Sequence, residues 1–138
     1  MIKKISHIGI AVRNLGVSNE LFAKLLGKAP DHTERVAEQQ ALVSFYPIGQ
    51  SSIELIESTE GAGAGSSVSA FIEKRGEGVH HLCLEVDDID VEIARLKKLG
   101  FRFVEDRPTR GGDGCLVAFI HPKSANGVLI ELSQRANQ

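Results

Sequence analysis

Two histidines and two glutamates recur in matching surroundings along this 138-residue chain. His7 opens the run His-Ile-Gly-Ile-Ala-Val and His81 opens His-Leu-Cys-Leu-Glu-Val. Glu54 lies in Ser-Ile-Glu-Leu and Glu131 in Leu-Ile-Glu-Leu. Two imidazole nitrogens and two carboxylate oxygens suit a divalent cation. The set is too hard for a thiolate-type metal and too poor in oxygen for calcium. An octahedral ion held by four such donors keeps two adjacent positions open for water or substrate. Singly, a strand histidine is ordinarily a satisfied structural residue and a strand glutamate ordinarily faces solvent. Their coincidence in a repeat is what points to a shared site.

The elements that would position these residues also repeat. Residues 5–12 have strand composition, with Ile8, Ile10 and Val12 on one face and His7, Gly9 and Ala11 on the other. The small residues beside His7 would leave room for a ligand. Asn14 or Ser18 caps a helix over about 17–26, in which Leu21/Leu25 and Phe22/Leu26 are i,i+4 pairs, and Gly27 stops it. Strands are expected at 32–38, 41–46 and 52–57. After a small-residue connector carrying a short helix near 67–74, the plan returns. A strand at 79–86 is followed by a helix at about 89–99 capped by Asp87 or Asp88, then strands at 101–106, 115–121 and 128–133. The landmark pairs His7/His81, Gly27/Gly100 and Glu54/Glu131 are offset by 74, 73 and 77 residues. The chain therefore reads as α+β, one domain over 1–138 built from two βαβββ modules in tandem: module one about 1–57, connector about 58–78, module two about 79–138. A half of about 65 residues buries too little surface to stand alone.

Strand parity sets Glu54 opposite Ile53 and Leu55, and Glu131 opposite Ile130 and Leu132. If the apolar neighbours face helices, both carboxylates share the other side with His7 and His81. His80, by the same parity, joins Leu82 and Leu84 on the helix-facing side and has no counterpart in the first module, where Ser6 stands. His32 and His121 lack a repeat partner and are not expected to be ligands. Cys83 shares a face with His81 but has no partner thiol, and reads as a small filler.

Composition excludes several classes of function. With 42% hydrophobic and 25% charged residues the chain is an ordinary globular one, and its net charge of −2 offers no basic field for nucleic acid or an anionic membrane. Two cysteines without a CxxC fit a reducing compartment. The expected location is cytoplasmic, or the mitochondrial matrix for a processed eukaryotic form, since neither a membrane span nor a presequence is present. The stretch Gly-Ala-Gly-Ala-Gly-Ser-Ser at 61–67 lacks the lysine and preceding strand of a phosphate loop and reads as a linker. Arg107, Arg110 and Lys123 can meet an anionic ligand or simply face solvent.

The motifs His-Ile-Gly-Ile-Ala-Val, Gly-Glu-Gly-Val-His-His-Leu-Cys-Leu-Glu-Val-Asp-Asp-Ile-Asp (76–90) and His-Pro-Lys followed by Gly-Val-Leu-Ile-Glu-Leu (121–132) together resemble the methylmalonyl-CoA epimerases of the vicinal oxygen chelate (glyoxalase-like) superfamily. The resemblance runs over almost the whole chain. It implies metal ligation by His7, Glu54, His81 and Glu131; family members also carry Gln where Glu54 stands. It implies Glu131 as one catalytic base and Glu38 as the second, with Glu34 close by. Glyoxalase I tends to have an Asp-Pro-Asp-Gly turn where this chain has His121-Pro122-Lys123.

The implied reaction is epimerisation of (2R)/(2S)-methylmalonyl-CoA. A proton is removed at C2 and returned on the other face, through an enolate that a metal ion stabilises as a Lewis acid. Co2+ is the first expectation for that ion, with Mn2+, Ni2+ or Zn2+ also fitting. The expected partners are a small-molecule CoA thioester and a second copy of the chain in a homodimer. The alternatives are a glyoxalase I-type isomerase and a non-catalytic binding protein of the same fold. A protein that only sequesters its ligand has no need of a metal tetrad.

Overall fold

The computed structural model describes residues 1–59 and 66–136. Most of the expected linker at 61–67 lies outside the described residues. The chain is mixed α+β, and its elements run β1 (Ile2–Ala11), α1 (Leu15–Leu26), β2 (His32–Val36), β3 (Ala41–Ile48), β4 (Ser51–Ser58), α2 (Ser67–Arg75), β5 (Gly78–Val86), α3 (Ile89–Lys98), β6 (Thr109–Arg110), β7 (Leu116–Ile120) and β8 (Ile130–Gln134). Two compact units form, one of Ile8–His80 and one of Met1–His7 with His81–Gln138. Both cuts fall inside strands, so β1 and β5 each contribute to both units. No helix among the described residues is long and apolar enough to cross a membrane.

In the Ile8–His80 unit, β2, β3 and β4 pair antiparallel, with Phe45 opposite both His32 and Glu54. Alternation divides its apolar residues between two clusters. Val12, Leu15, Tyr46 and Leu55 pack with Phe22 and Leu26 of α1. Ala11, Val43, Phe45, Ile56 and Val68 pack with Phe71 and Ile72 of α2. Ala11 is thus filled in by helix α2 and its neighbours, not left open for a ligand. Helix α1 starts at Leu15 because the Asn14 side chain accepts from the Val17 amide, and it stops where Gly27 takes the left-handed conformation. Of its two i,i+4 pairs only Phe22/Leu26 is inward; Leu21 and Leu25 are exposed. Tyr46 is fully buried, and its hydroxyl donates to Asn19 Oδ1 at 2.7 Å.

In the other unit β5 pairs parallel with β8, and β8 pairs antiparallel with β7, which pairs with β6. One face carries Val86, Ala118, Ile120 and Leu132 against Ile89, Ile93 and Leu96 of α3. Burying three helical apolar side chains on a sheet contributes roughly 1.5–3 kcal/mol for each one fully removed from water. Asp88 caps α3 by accepting from the Val91 amide. The strand expected at 101–106 is a departure: only Phe103 bridges to Ile120, and the short strand lies later, at Thr109–Arg110. Phe101 and Phe103 still pack into the α3 cluster. Their apolar alternation reports that burial, while the backbone between them makes only scattered bonds, such as Val104 N–H to Phe119 O.

Candidate metal centre

Three side chains from three strands meet in the unit of Met1–His7 and His81–Gln138. His7 lies on β1, His81 on β5 and Glu131 on β8. Their positions follow from pleating. Ile130 and Leu132 face the α3 cluster, so Glu131 between them projects to the other side. All three are buried, at 8%, 5% and 4% relative exposure. His7 Nε2 stands 2.9 Å from His81 Nε2, and Glu131 Oε1 is 3.2 Å from the first and 3.0 Å from the second. The two imidazole planes are nearly perpendicular, at 85°.

A triangle of this size is poorly served by protons alone. Each ring N–H points along one direction in its own plane, so it cannot bond along two sides at once. One cation with bonds of about 2.0–2.2 Å satisfies all three corners together, because cis donors at that bond length stand ~3 Å apart. The donor set, two imidazoles and a carboxylate, also suits a borderline divalent ion. The Ser6 hydroxyl lies 3.3 Å from His7 Nδ1, so an Nδ1–H donated there leaves Nε2 unprotonated for ligation.

The carboxylate is already in the charge state a cation requires. Burial pushes the Glu131 pKa up, but the hydrogen bonds and charges of His7 and His81 more than reverse this and bring it down to about 2. Glu131 is therefore ionised throughout the neutral range.

The remaining expected residues lie in the other unit. Glu54 is half-buried on β4, on the face it shares with Ile56, opposite Ile53 and Leu55 as parity requires. Glu38 is exposed in a 3-10 turn (Ala37–Gln39) before β3. Glu34 is half-buried on β2 and stands 4.0 Å from His32.

The other histidines have structural partners. His80 Nε2 is 3.0 Å from Ser67 Oγ and its ring meets the edge of Phe71, so the helix it faces is α2. His32 stacks on Phe45 at 4.3 Å and pairs with Asp31. His121 accepts from the Lys123 amide through Nδ1.

Sequence reasoning passed over Cys83. It is fully buried opposite Glu131 in the β5–β8 pair, and its Sγ, a His7 ring nitrogen and a Glu131 oxygen lie within 4.8 Å of one another. The available signal was its shared strand face with His81, one turn of the pleat away.

Comparison with known proteins places this architecture. The chain belongs to the Glyoxalase/Bleomycin resistance protein/Dioxygenase superfamily, whose family model matches residues 6–119. Within that superfamily its close relatives and structural neighbours are methylmalonyl-CoA epimerases, which are isomerases. It is 35% identical over 136 residues to the ethylmalonyl-CoA/methylmalonyl-CoA epimerase of Cereibacter sphaeroides, covering 97% of this chain and 99% of that one. It is 32% identical to the mitochondrial methylmalonyl-CoA epimerase of Homo sapiens, over 95% of this chain and 73% of the human one. Among solved structures, a variant of Streptomyces coelicolor methylmalonyl-CoA epimerase in complex with 2-nitronate-propionyl-CoA superposes with a TM-score of 0.91. Identity there is 33%, over 99% of this chain and 97% of that one.

Proposed function

We propose that this protein epimerises (2R)/(2S)-methylmalonyl-CoA, using a divalent cation held by His7, His81, Glu131 and Glu54. The observation that carries the reading is the convergence of two Nε2 atoms and one carboxylate oxygen within 2.9–3.2 Å of one another in a buried position. The epimerase relatives add the substrate class. A divalent cation bound there, Co2+ first, would supply Lewis acidity to the thioester and carboxylate oxygens of a substrate.

The chain's own residues account for the rest. His7 and His81 would hold the cation beside the Glu131 carboxylate, which also serves as one base at C2. Held near pKa 2, it is ionised at any working pH. Inversion needs a second base on the opposite side of C2, and Glu38 takes that role; each base contributes about 10²–10⁴-fold. Glu38 stands exposed in its short turn, Ala37–Gln39. In this reading the chain carries two tandem βαβββ modules and works as a cytoplasmic homodimer.

Exchange of the C2 proton of methylmalonyl-CoA with solvent deuterium tests the proposal. Wild type exchanges it, chelation stops the exchange and Co2+ restores it. Glu131→Ala abolishes it, while Glu38→Ala blocks inversion but still exchanges one of the two stereoisomers. Absence of exchange by wild type, with turnover of a glutathione hemithioacetal instead, would overturn the assignment in favour of a glyoxalase I-type isomerase.

A further inference from the structure

His7 and Glu131 each belong to two donor sets. The first is the triangle with His81, all nitrogen and oxygen. The second replaces His81 by Cys83, whose Sγ lies within 4.8 Å of the same two partners. Opposite ligands on one cation, with bonds of about 2.1 Å to nitrogen or oxygen and 2.3 Å to sulfur, stand ~4.4 Å apart. Only one pair of donors can be opposite and the others stand ~3 Å apart, so a cation held by His7 and Glu131 takes Cys83 as a third donor by shifting toward the sulfur.

Packing makes the thiol a fixed member of the group. Cys83 is 0% exposed, and strand register sets it opposite Glu131, so it cannot swing into solvent. Cys115, the other cysteine, is half-buried and lies one residue before β7.

We infer that Cys83, with His7 and Glu131, forms a second, thiophilic metal set overlapping the first, so that this one site sorts cations by softness. Hard and borderline ions such as Mn2+ take the set with His81, whereas the softer Cd2+ recruits the sulfur. As the sulfur–metal bond forms, the S–H bond breaks and its proton passes to buffer; no electron is transferred and no oxidant is needed. Drawing a cation toward Cys83 takes it away from His81, so thiophilic ions bind tightly and leave the centre in the wrong arrangement for turnover. The inference rests on the reading of His7 and Glu131 as metal donors, and it is independent of the substrate.

Titration with Cd2+ alone, followed by ultraviolet thiolate-to-metal charge-transfer absorption, tests it. Wild type and His81→Ala develop the band at one ion per chain, and Cys83→Ser does not. Cd2+ affinity falls by about tenfold or more in Cys83→Ser, whereas Mn2+ affinity stays within roughly threefold. X-ray absorption at the cadmium edge of the wild-type complex finds one sulfur neighbour, a result that needs no folded variant. The inference is overturned if wild type gives no band and no sulfur neighbour, or if the band persists in Cys83→Ser and disappears in Cys115→Ser. Failure of wild type to bind Mn2+, with the Cd2+ results intact, would count against the proposed function and leave the sulfur set standing.

Discussion

Two buried glutamates on neighbouring strands, Glu85 on β5 and Glu131 on β8, have opposite fates. They are almost equally buried, at 5% and 4% exposure. Glu85 is paired with permanent cations: Arg135 Nε at 2.9 Å, with Lys3 and Lys4 at 3.7 and 3.9 Å. Its partners are lysine and arginine side chains, which present donors only and no lone pair for a metal. Glu131 is paired instead with two buried imidazoles whose nitrogens converge on one of its oxygens. Imidazole nitrogens are metal donors, so a divalent cation can take the middle of the triangle. Burial of an acid is therefore not what marks a site. The kind of base facing it does.

The comparison is broken most severely by neutralising each acid in turn. Glu131→Gln is expected to lower the rate of C2 exchange by about 10²–10⁴-fold, through loss of both a donor and a base. Glu85→Gln is expected to leave exchange within about threefold of wild type while costing about 1–3 kcal/mol of stability, because only a charged hydrogen bond is lost. Steady-state exchange rates and urea unfolding of both variants check the pair.

The neighbouring histidines sharpen the same contrast. His81→Ala should weaken Co2+ binding by at least about 10–100-fold. His80→Ala should leave binding intact and cost about 1–2 kcal/mol, the bond to Ser67 and the contact with Phe71. Calorimetric titration with Co2+ beside a urea melt separates the two effects.

Acid titration of the metal-free protein gives a further distinction. The folded-state pKa of Glu131 is depressed from 4.5 to about 2. Its stabilising contribution is thus fully present above about pH 4.5 and is lost as pH falls toward 2. Stability should decline over that window in wild type and decline less in Glu131→Gln, as measured by urea midpoints at successive pH values. The smallest effect belongs to Arg135→Gln. More than half of that side chain is exposed and Lys3 and Lys4 remain beside Glu85, so the loss should stay below about 1 kcal/mol by the same urea measurement.

Much of this arrangement was legible in the sequence because the signal was doubled. The nearly equal spacing of His7/His81 and Glu54/Glu131, at 74 and 77 residues, read with strand parity, puts His7, His81 and Glu131 on one side of their strands, where the structure brings them together. Caps and stops were equally plain, since Asn14, Gly27 and Asp88 act through local bonds. What could not be read depended on partners distant in sequence. The alternation at Phe101 and Phe103 announces burial but not pairing, so a strand was expected where only one bridge forms. Ala11 looked like open space until α2 was seen to supply Val68 and Phe71 against its cluster. Cys83 looked inert because its importance comes from the β5–β8 register, which no local pattern encodes.

The proposed function stands or falls on whether His7, His81 and Glu131 grip one cation. Titration of metal-free protein with Co2+, followed by its visible ligand-field absorption, addresses it directly. Wild type is expected to saturate at one ion per chain, and the double variant His7→Ala/His81→Ala, still unfolding cooperatively, to lose that absorption. Unchanged Co2+ binding in the folded double variant, or no binding by wild type, would contradict it.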